Sequence, residues 1–405
     1  MKRAPIICSV VICAMAALAH AAGARTIAPC GSYTWFSNPR AVAFTGNTVV
    51  GYIGCDSSIA LSITGTSNTR QVRIGKVAQR DDHAGPALYV RRDGRLQVFW
   101  SEHFGPHIFT RISRQRDAMH WGPRIQLDPQ PGQPNGYTYV SPVRTKYGLA
   151  LFFRGAGEQQ AVALSRDGVH FRPARTLLAN RGHRPYAVYA ATPDGDIAAA
   201  YTKVHPQETA ELTPVYFARI RISAGGAVRV AATATPISSS THSGWPEDVA
   251  AGRNGRIRVL YTETISFERH VLHFVEKSRA GWHDTTVGES GRSVSPLPRE
   301  RVPGRPDLGL WTELYYSAGA ALDHRDPDRF FMARQLAAGY ALDRVKARRR
   351  GRGFAVQSIA LADKPAVTLM RPIVPLGAKA PLAVVWLAGN YGNYLAYETR
   401  LEAAR

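Results

Sequence analysis

The stretch that decides the fold runs from Asp81-Asp82-His83-Ala84-Gly85-Pro86 through Ala87-Leu88-Tyr89-Val90, a turn at Arg92-Asp93-Gly94 and Leu96-Gln97-Val98-Phe99-Trp100 to Ser101-Glu102-His103. Alternating apolar residues around an Asp-Gly turn predict a β-hairpin. In such a hairpin His83 and His103 flank the two open ends and lie close in space. The rest of the chain repeats the unit without the histidines, which predicts a scaffold carrying one local chemical site.

The repeated unit is a turn with Gly, Asn or Asp, then four to six apolar residues, then a polar stop. It starts at Gly46, Asp93, Tyr147, Asp194, Asn254, Asp326 (a weaker copy) and Ala380, at intervals of 47 to 72 residues. That spacing is close to that of β-propeller blades, each a four-stranded sheet around a central axis. The strands are apolar at nearly every position, as when neighbouring blades cover both faces. The expected fold is all-β, a single seven-bladed β-propeller from about 26 to 400. A two-sheet sandwich would not call for one such hairpin at each regular step. Helical periodicity is nearly absent; Leu336 to Leu342, interrupted by Gly339, is the one stretch that fits a short helical turn. The long interval from Thr264 to Asp326 predicts an inserted loop, given Pro296, Pro298, Pro303 and Pro306. Ser165-Arg166-Asp167-Gly168-Val169-His170-Phe171 reads as a degenerate Asp-box, a turn in which an Asp side chain accepts backbone hydrogen bonds.

The chain has 405 residues and opens like an export signal over 1–24. Lys2 and Arg3 supply the positive start, Ile6 to Leu18 the apolar run, and Ala19-His20-Ala21 or Ala22-Gly23-Ala24 the small-residue cleavage site. The run is shorter than the roughly 20 residues that span a bilayer, so a secreted or periplasmic protein without a membrane span is expected. Cys8 and Cys13 fall in this signal, leaving Cys30 and Cys55 for one disulfide. Such a bridge contributes on the order of 3 kcal/mol. The net charge is +21, or +19 without Lys2 and Arg3, which implies a polyanionic partner. Export argues against nucleic acid, and an acidic polysaccharide fits both charge and compartment. The basic run Lys346-Ala347-Arg348-Arg349-Arg350-Gly351-Arg352 reads as a solvated turn. A monomer is expected.

An ordered series of segments resembles a known family. It comprises Thr34 to Val42, Asp81-Asp82-His83, Ser101-Glu102-His103, Phe153-Arg154-Gly155, Arg184-Pro185-Tyr186, Tyr316 to Gly319, Leu322 to Pro327 and Val385 to Tyr391. It is similar to the secreted BNR-repeat (sialidase-type repeat) propellers that include the ulvan lyases. The resemblance implies β-elimination beside a uronic acid, which needs a cation for the uronate, a base for the C5 proton and an acid for the leaving oxygen. It implies His83 and His103 as the histidine pair and Tyr139 as the tyrosine preceding the next blade's inner strand, with Tyr137 as the other register. Arg154, ending that strand, is the implied cation. In these roles His83 accepts a proton, Tyr139 donates one, Arg154 grips the carboxylate and His103 orients substrate. Arg184, Tyr186 and His205 are further candidates for the substrate groove, with Tyr186 stacking on a sugar. Taken alone, Arg154 also reads as a structural ion pair, Tyr139 as a half-buried strand tyrosine, and His83 as a turn histidine whose neighbours Asp81 and Asp82 cap backbone. One departure stands out. The family usually places asparagine after Asp-Asp-His, where this chain has Ala84-Gly85.

No cofactor is expected. His205, His242 and His324 are candidates for a structural metal ion, but no two share a ligand spacing. His107 and His120 read as surface histidines. Two other function classes stay open: a sialidase-type hydrolase built on Tyr261-Thr262-Glu263 or Tyr315, and a noncatalytic glycan-binding propeller.

Overall fold

The computed structural model describes residues 24–405 apart from 131–135, 181, 206–211, 240, 295–299, 302–309, 312–315 and 349–352. The predicted export signal, Tyr315, the prolines of the inserted loop and the end of the basic run lie outside the described residues.

Antiparallel sheets follow one another as seven blades in a ring. The hairpin predicted between the two histidines forms from Ala87–Val90 and Leu96–Ser101, with Gly94 taking φ +75° at its turn. Ile108–Ile112 and Ile125–Leu127 complete that blade, the second. Each repeated unit of the sequence proves to be the second strand of a blade: Asn47–Gly54, Leu96–Ser101, Leu149–Arg154, Ile197–Thr202, Ile257–Ser266, Arg329–Leu336 and Val384–Tyr391. Second strands are covered by blades on both faces, so they carry the most continuous apolar runs. Leu149, Ala150, Leu151, Phe152, Phe153 and Arg154 are all buried. Removing one such side chain, as in Phe152→Ala, costs about 3–5 kcal/mol.

Two local expectations are corrected. Leu149–Arg154 is the second strand of blade three and not its inner one; the inner strand is Thr138–Arg144, which carries Tyr139 within it. Leu336 to Leu342 is no helical turn, because Leu336 and Gly339 pair across the hairpin joining Arg329–Leu336 to Gly339–Ala347. Gly339 at φ +134° suits that turn and would strain a helix.

The ring closes through the chain's start. Arg25–Ala28 adds to Tyr397–Ala404 as the outermost strand of blade seven, beside Thr368–Ile373 and Val384–Tyr391. The chain then passes Cys30, which is bonded to Cys55, and sends Trp35 and Phe36 onto the axis. Phe36 packs against Tyr139 of blade three, Tyr186 of blade four and Trp245 of blade five at ring-centroid distances of 5.0–5.3 Å. This plug fills one end of the axis. Inner strands run about 3.3 Å per residue, and their far ends, from Pro142 to Arg144 and from Tyr189 to Ala191 among others, surround an open cavity of about 480 Å³.

Candidate functional site

At the plugged end, bulges interrupt three inner strands. Pairing breaks between Thr138 and Ser141, between Pro246 and Asp248, and between Met370 and Ile373. The bulges hold Tyr139, Glu247 and Arg371, all buried. Tyr139 has φ +60° and Arg371 φ +49°, a conformation that costs a side-chain-bearing residue on the order of 1 kcal/mol. Phe104 shares it at φ +56°. Bulges of this kind re-aim the side chains they carry.

The two histidines meet as predicted. Asp82–Ala84 forms a single short turn capped by Asp81, whose Oδ1 accepts the His83 backbone N–H at 2.9 Å. The same oxygen lies 2.7 Å from His83 Nδ1, and Asp81 Oδ2 lies 3.1 Å from His103 Nδ1. The rings stack at 4.0 Å between centroids and 2° between planes. Tyr394 stands edge-on to His83 at 4.5 Å.

One carboxylate therefore orients both rings and makes each Nδ1 a donor. Burial works to raise Asp81, but the two histidines outweigh it and hold its carboxyl well below the usual range. Burial, helped by the neighbouring His83, pushes His103 down to about 3. The rings differ at Nε2. In His103 it accepts from Arg154 Nη2 at 3.3 Å, whereas in His83 it makes no hydrogen bond among the described residues.

Arg154 is 2% exposed, and no carboxylate pairs with it among the described residues. Its Nη1 donates to Tyr186 Oη at 2.7 Å, and its guanidinium lies 4.8 Å from the ring centres of both Phe104 and Tyr139. Its Nε is buried without a partner. Tyr139 Oη also makes no hydrogen bond among the described residues. Burial first, and then the neighbouring Tyr186, raise this hydroxyl well above its ordinary value, so it stays protonated. Tyr137, the other register, is committed to structure: its Oη accepts from Gln130 N at 2.9 Å and its ring packs on Phe153 at 5.2 Å.

The remaining candidates are arranged differently from expectation. Tyr186 does not offer a face to a sugar, because Phe36, Tyr139 and Trp245 cover its ring and its hydroxyl holds Arg154. His205 is 3% exposed, edge-on to Tyr186 and hydrogen-bonded to Tyr316 Oη at 2.8 Å. Burial and then the charges of Arg184 and Arg154 keep it well below its ordinary value. Arg184 lies 3.4 Å from Glu158 at the edge of this group. His205, His242 and His324 contact Tyr316, Glu263 and Asp248 respectively and do not converge. Among the described residues, the set with metal-ligand geometry is Asp81, His83 and His103, whose donor atoms lie within 4.8 Å of one another. Tyr261 and Glu263 are engaged in blade five: Tyr261 Oη donates to Asp284 at 2.6 Å, and Glu263 holds His242 and His273.

A family model described as a BNR repeat-containing family member matches residues 46–290, more than half of the chain. The chain belongs to the BNR repeat-containing family. No curated protein matches it. Among solved structures, this BNR-repeat chain is similar to a polysaccharide lyase PL25 ulvan lyase, with a TM-score of 0.67 and 13% identity over 93% of this chain and 94% of that one. The same kind of ulvan lyase bound to -[GlcA(1-4)Rha3S]- matches with a TM-score of 0.66 at the same identity and coverage. The polysaccharide lyase Uly1 matches with a TM-score of 0.51 and 10% identity over 94% of this chain and 91% of that one. These likenesses show the propeller fold.

The Asp-box of the BNR-repeat chain has a twin that the sequence reading missed. Asp167 Oδ1 accepts from Val169 N and His170 N at 2.9 and 2.8 Å. Asp117 Oδ1 does the same for Met119 N and His120 N at 2.7 and 3.4 Å, and Ser113 bridges Trp121 as Ser165 bridges Phe171. The signal was present: Asp, two residues, His, aromatic in both. His107 and His120 pair with Asp128 and Asp117.

Also missed was the division of labour in Asp81-Asp82. Asp82 turns inward to Arg371 Nη1 at 2.5 Å and accepts Tyr391 Oη at 2.8 Å. Ala84, where the family usually has asparagine, is 1% exposed in the core between blades one and two. A Cβ on Gly85 would lie 3.0 Å from Asp82 O and 3.5 Å from Thr34 N. Gly85 thus sits against the entering chain.

Proposed function

We propose that the protein cleaves an acidic, uronate-containing polysaccharide by β-elimination, with His83 as base, Tyr139 as acid and Arg154 as the carboxylate-binding cation. One observation carries this reading: a buried guanidinium without a counter-ion lies against a tyrosine whose hydroxyl is unengaged, beside an imidazole whose Nε2 is unengaged. A buried cation is costly unless paired, and a uronate supplies the missing charge. Binding it to Arg154 stabilises the negative charge that builds up when C5 loses its proton. With Nδ1–H held by Asp81, the His83 ring presents its Nε2 lone pair to that proton. Tyr139 Oη gives its proton to the departing O4. The C5–H and C4–O bonds break, a C4=C5 double bond forms, and the new chain end is an unsaturated uronate. His103 is a positioning residue whose two nitrogens are spent on Asp81 and Arg154. The propeller shared with the ulvan lyases is compatible with this scheme.

The test is ultraviolet absorbance from the unsaturated product when the protein is incubated with ulvan, glycosaminoglycans and bacterial exopolysaccharides. Rising absorbance on one of these polymers supports the proposal. Binding of such a polymer without cleavage identifies a glycan-binding propeller instead. Release of saturated sugars identifies a hydrolase. Either result overturns the assignment of His83, Tyr139 and Arg154.

A further inference from the structure

A second buried arginine without an ion pair lies on the axis between the plug and the open cavity. Arg40 is 7% exposed and forms part of the wall of the 480 Å³ cavity. Its Nη1 donates to the carbonyl of Thr34, its guanidinium lies 5.3 Å from the centre of the Tyr33 ring, and its Nε is buried without a partner. Among the described residues no carboxylate reaches it. Two carboxylates influence its charge: Asp248, which shares the cavity wall with its partner His324, and Glu247, whose Oε2 is buried without a hydrogen-bond partner. Both Asp248 oxygens lie 3.2 Å from His324 Nε2, and Oδ2 also accepts from Leu322 N. Glu247 Oε1 accepts from Thr262 and Ser317.

Burial lowers Arg40 to about 10, which leaves it cationic at neutral pH. Around it the wall is mostly apolar, with Leu88, Val143, Ala190, Ala321 and Val374 from five different blades, and Arg144 and the Asp248–His324 pair supply its other charged groups. A cavity of this size suits a small molecule. With Asp248 paired to His324, a mostly apolar wall holding a buried guanidinium without an ion pair selects for an anion carrying an apolar body, since the wall repays desolvation of the body and the cation pairs with the anion.

We propose that this cavity is a second ligand site, which takes a small carboxylate with an apolar body and pairs its anion with Arg40. The site is separate from the histidine cluster, because the cavity gathers the opposite ends of the inner strands that carry Tyr139 and Tyr186 there.

The experiment titrates 4-fluorobenzoate into the full chain, followed by fluorine NMR and calorimetry, with 4-fluorobenzamide as the neutral isostere. Saturable binding of the acid is expected, with the amide weaker by about tenfold or more. Arg40→Met should weaken the acid by a similar factor, whereas Arg154→Met should leave it unchanged. Ala191→Trp, at an exposed position on the cavity rim, blocks entry without touching Arg40 and should also abolish binding; it decides the matter if Arg40→Met does not fold. Three results overturn the proposal: no saturable binding to the unaltered chain, binding that survives Ala191→Trp, or binding lost only in Arg154→Met.

Discussion

Arg371 and Arg154 are both fully enclosed arginines near the plugged end of the axis, and they are treated in opposite ways. Arg371 has a buried aspartate at 2.5 Å, the Tyr33 carbonyl at 2.7 Å and the Trp35 ring at 3.5 Å. Asp82, its partner, is itself 1% exposed, so the charges cancel inside the protein. Arg154 has aromatic rings, a tyrosine hydroxyl and a histidine nitrogen, but no carboxylate. The pair of adjacent acids explains the contrast. Asp82 is spent on neutralising the core, and Asp81 is spent on the histidines. A cation whose charge is cancelled from within holds the plug in place. A cation left uncancelled is the one proposed to bind the uronate.

The largest expected effects test the reactive side of this contrast. His83→Gln and Tyr139→Phe should each lower the elimination rate by about 10²–10⁴-fold, with circular dichroism unchanged. His103→Gln should cost less, about 10–100-fold, because its nitrogens hold neighbours and touch no reacting atom. Equal losses for both histidines would break the distinction drawn at Nε2.

Next comes a stability comparison. Arg371→Met leaves Asp82 buried and unpaired and should lower unfolding free energy by about 3–5 kcal/mol. Arg154→Met leaves no orphaned carboxylate and should stay within about 1 kcal/mol while abolishing activity. Denaturant midpoints at equal slope decide it, and similar losses in both variants would show that Arg154 is structural after all.

A smaller effect concerns Asp81. Asp81→Asn leaves one acceptor oxygen for the two imidazole Nδ1–H groups and should reduce turnover by about 10–100-fold with little change in KM. A change confined to KM would assign Asp81 to substrate binding.

The smallest effect lies in blade five and is one of pH. Burial tends to lower His273, but Asp284 at 3.0 Å and Glu263 at 3.1 Å outweigh it and raise its folded-state value above normal. A raised histidine contributes stability that is fully present below its unfolded value of about 6.5 and is lost as pH rises through the folded value. Thermal midpoints should therefore fall as pH rises above about 6.5, and His273→Gln should flatten that fall. An unchanged slope would remove His273 as its source.

Several parts of this fold were legible because they obey local rules. The seven second strands announce themselves through unbroken apolar runs. The hairpin between the histidines follows from Asp93-Gly94 and period-two alternation, so His83 and His103 could be paired from sequence. Tyr139 and Arg154 entered through the resemblance to a family. The inner strands were harder to find, since their apolar pattern is interrupted by bulges that carry Tyr139, Glu247 and Arg371. Tyr186 and His205 were visible as residues but not as buried ones, and their part in holding Arg154 and packing the plug depends on chain segments far apart in sequence.

What the sequence determined by itself is the periodic element: a strand whose two faces are both apolar needs neighbours on both sides, and seven such strands close a ring. Only the tertiary structure decided which charges are cancelled. Asp82 meets Arg371 across 289 residues of chain, and Tyr33 meets it across 338. Nothing in the local pattern of Asp81-Asp82-His83 says which carboxylate faces the core. Ring closure sets that, by bringing the two ends of the chain together on one axis.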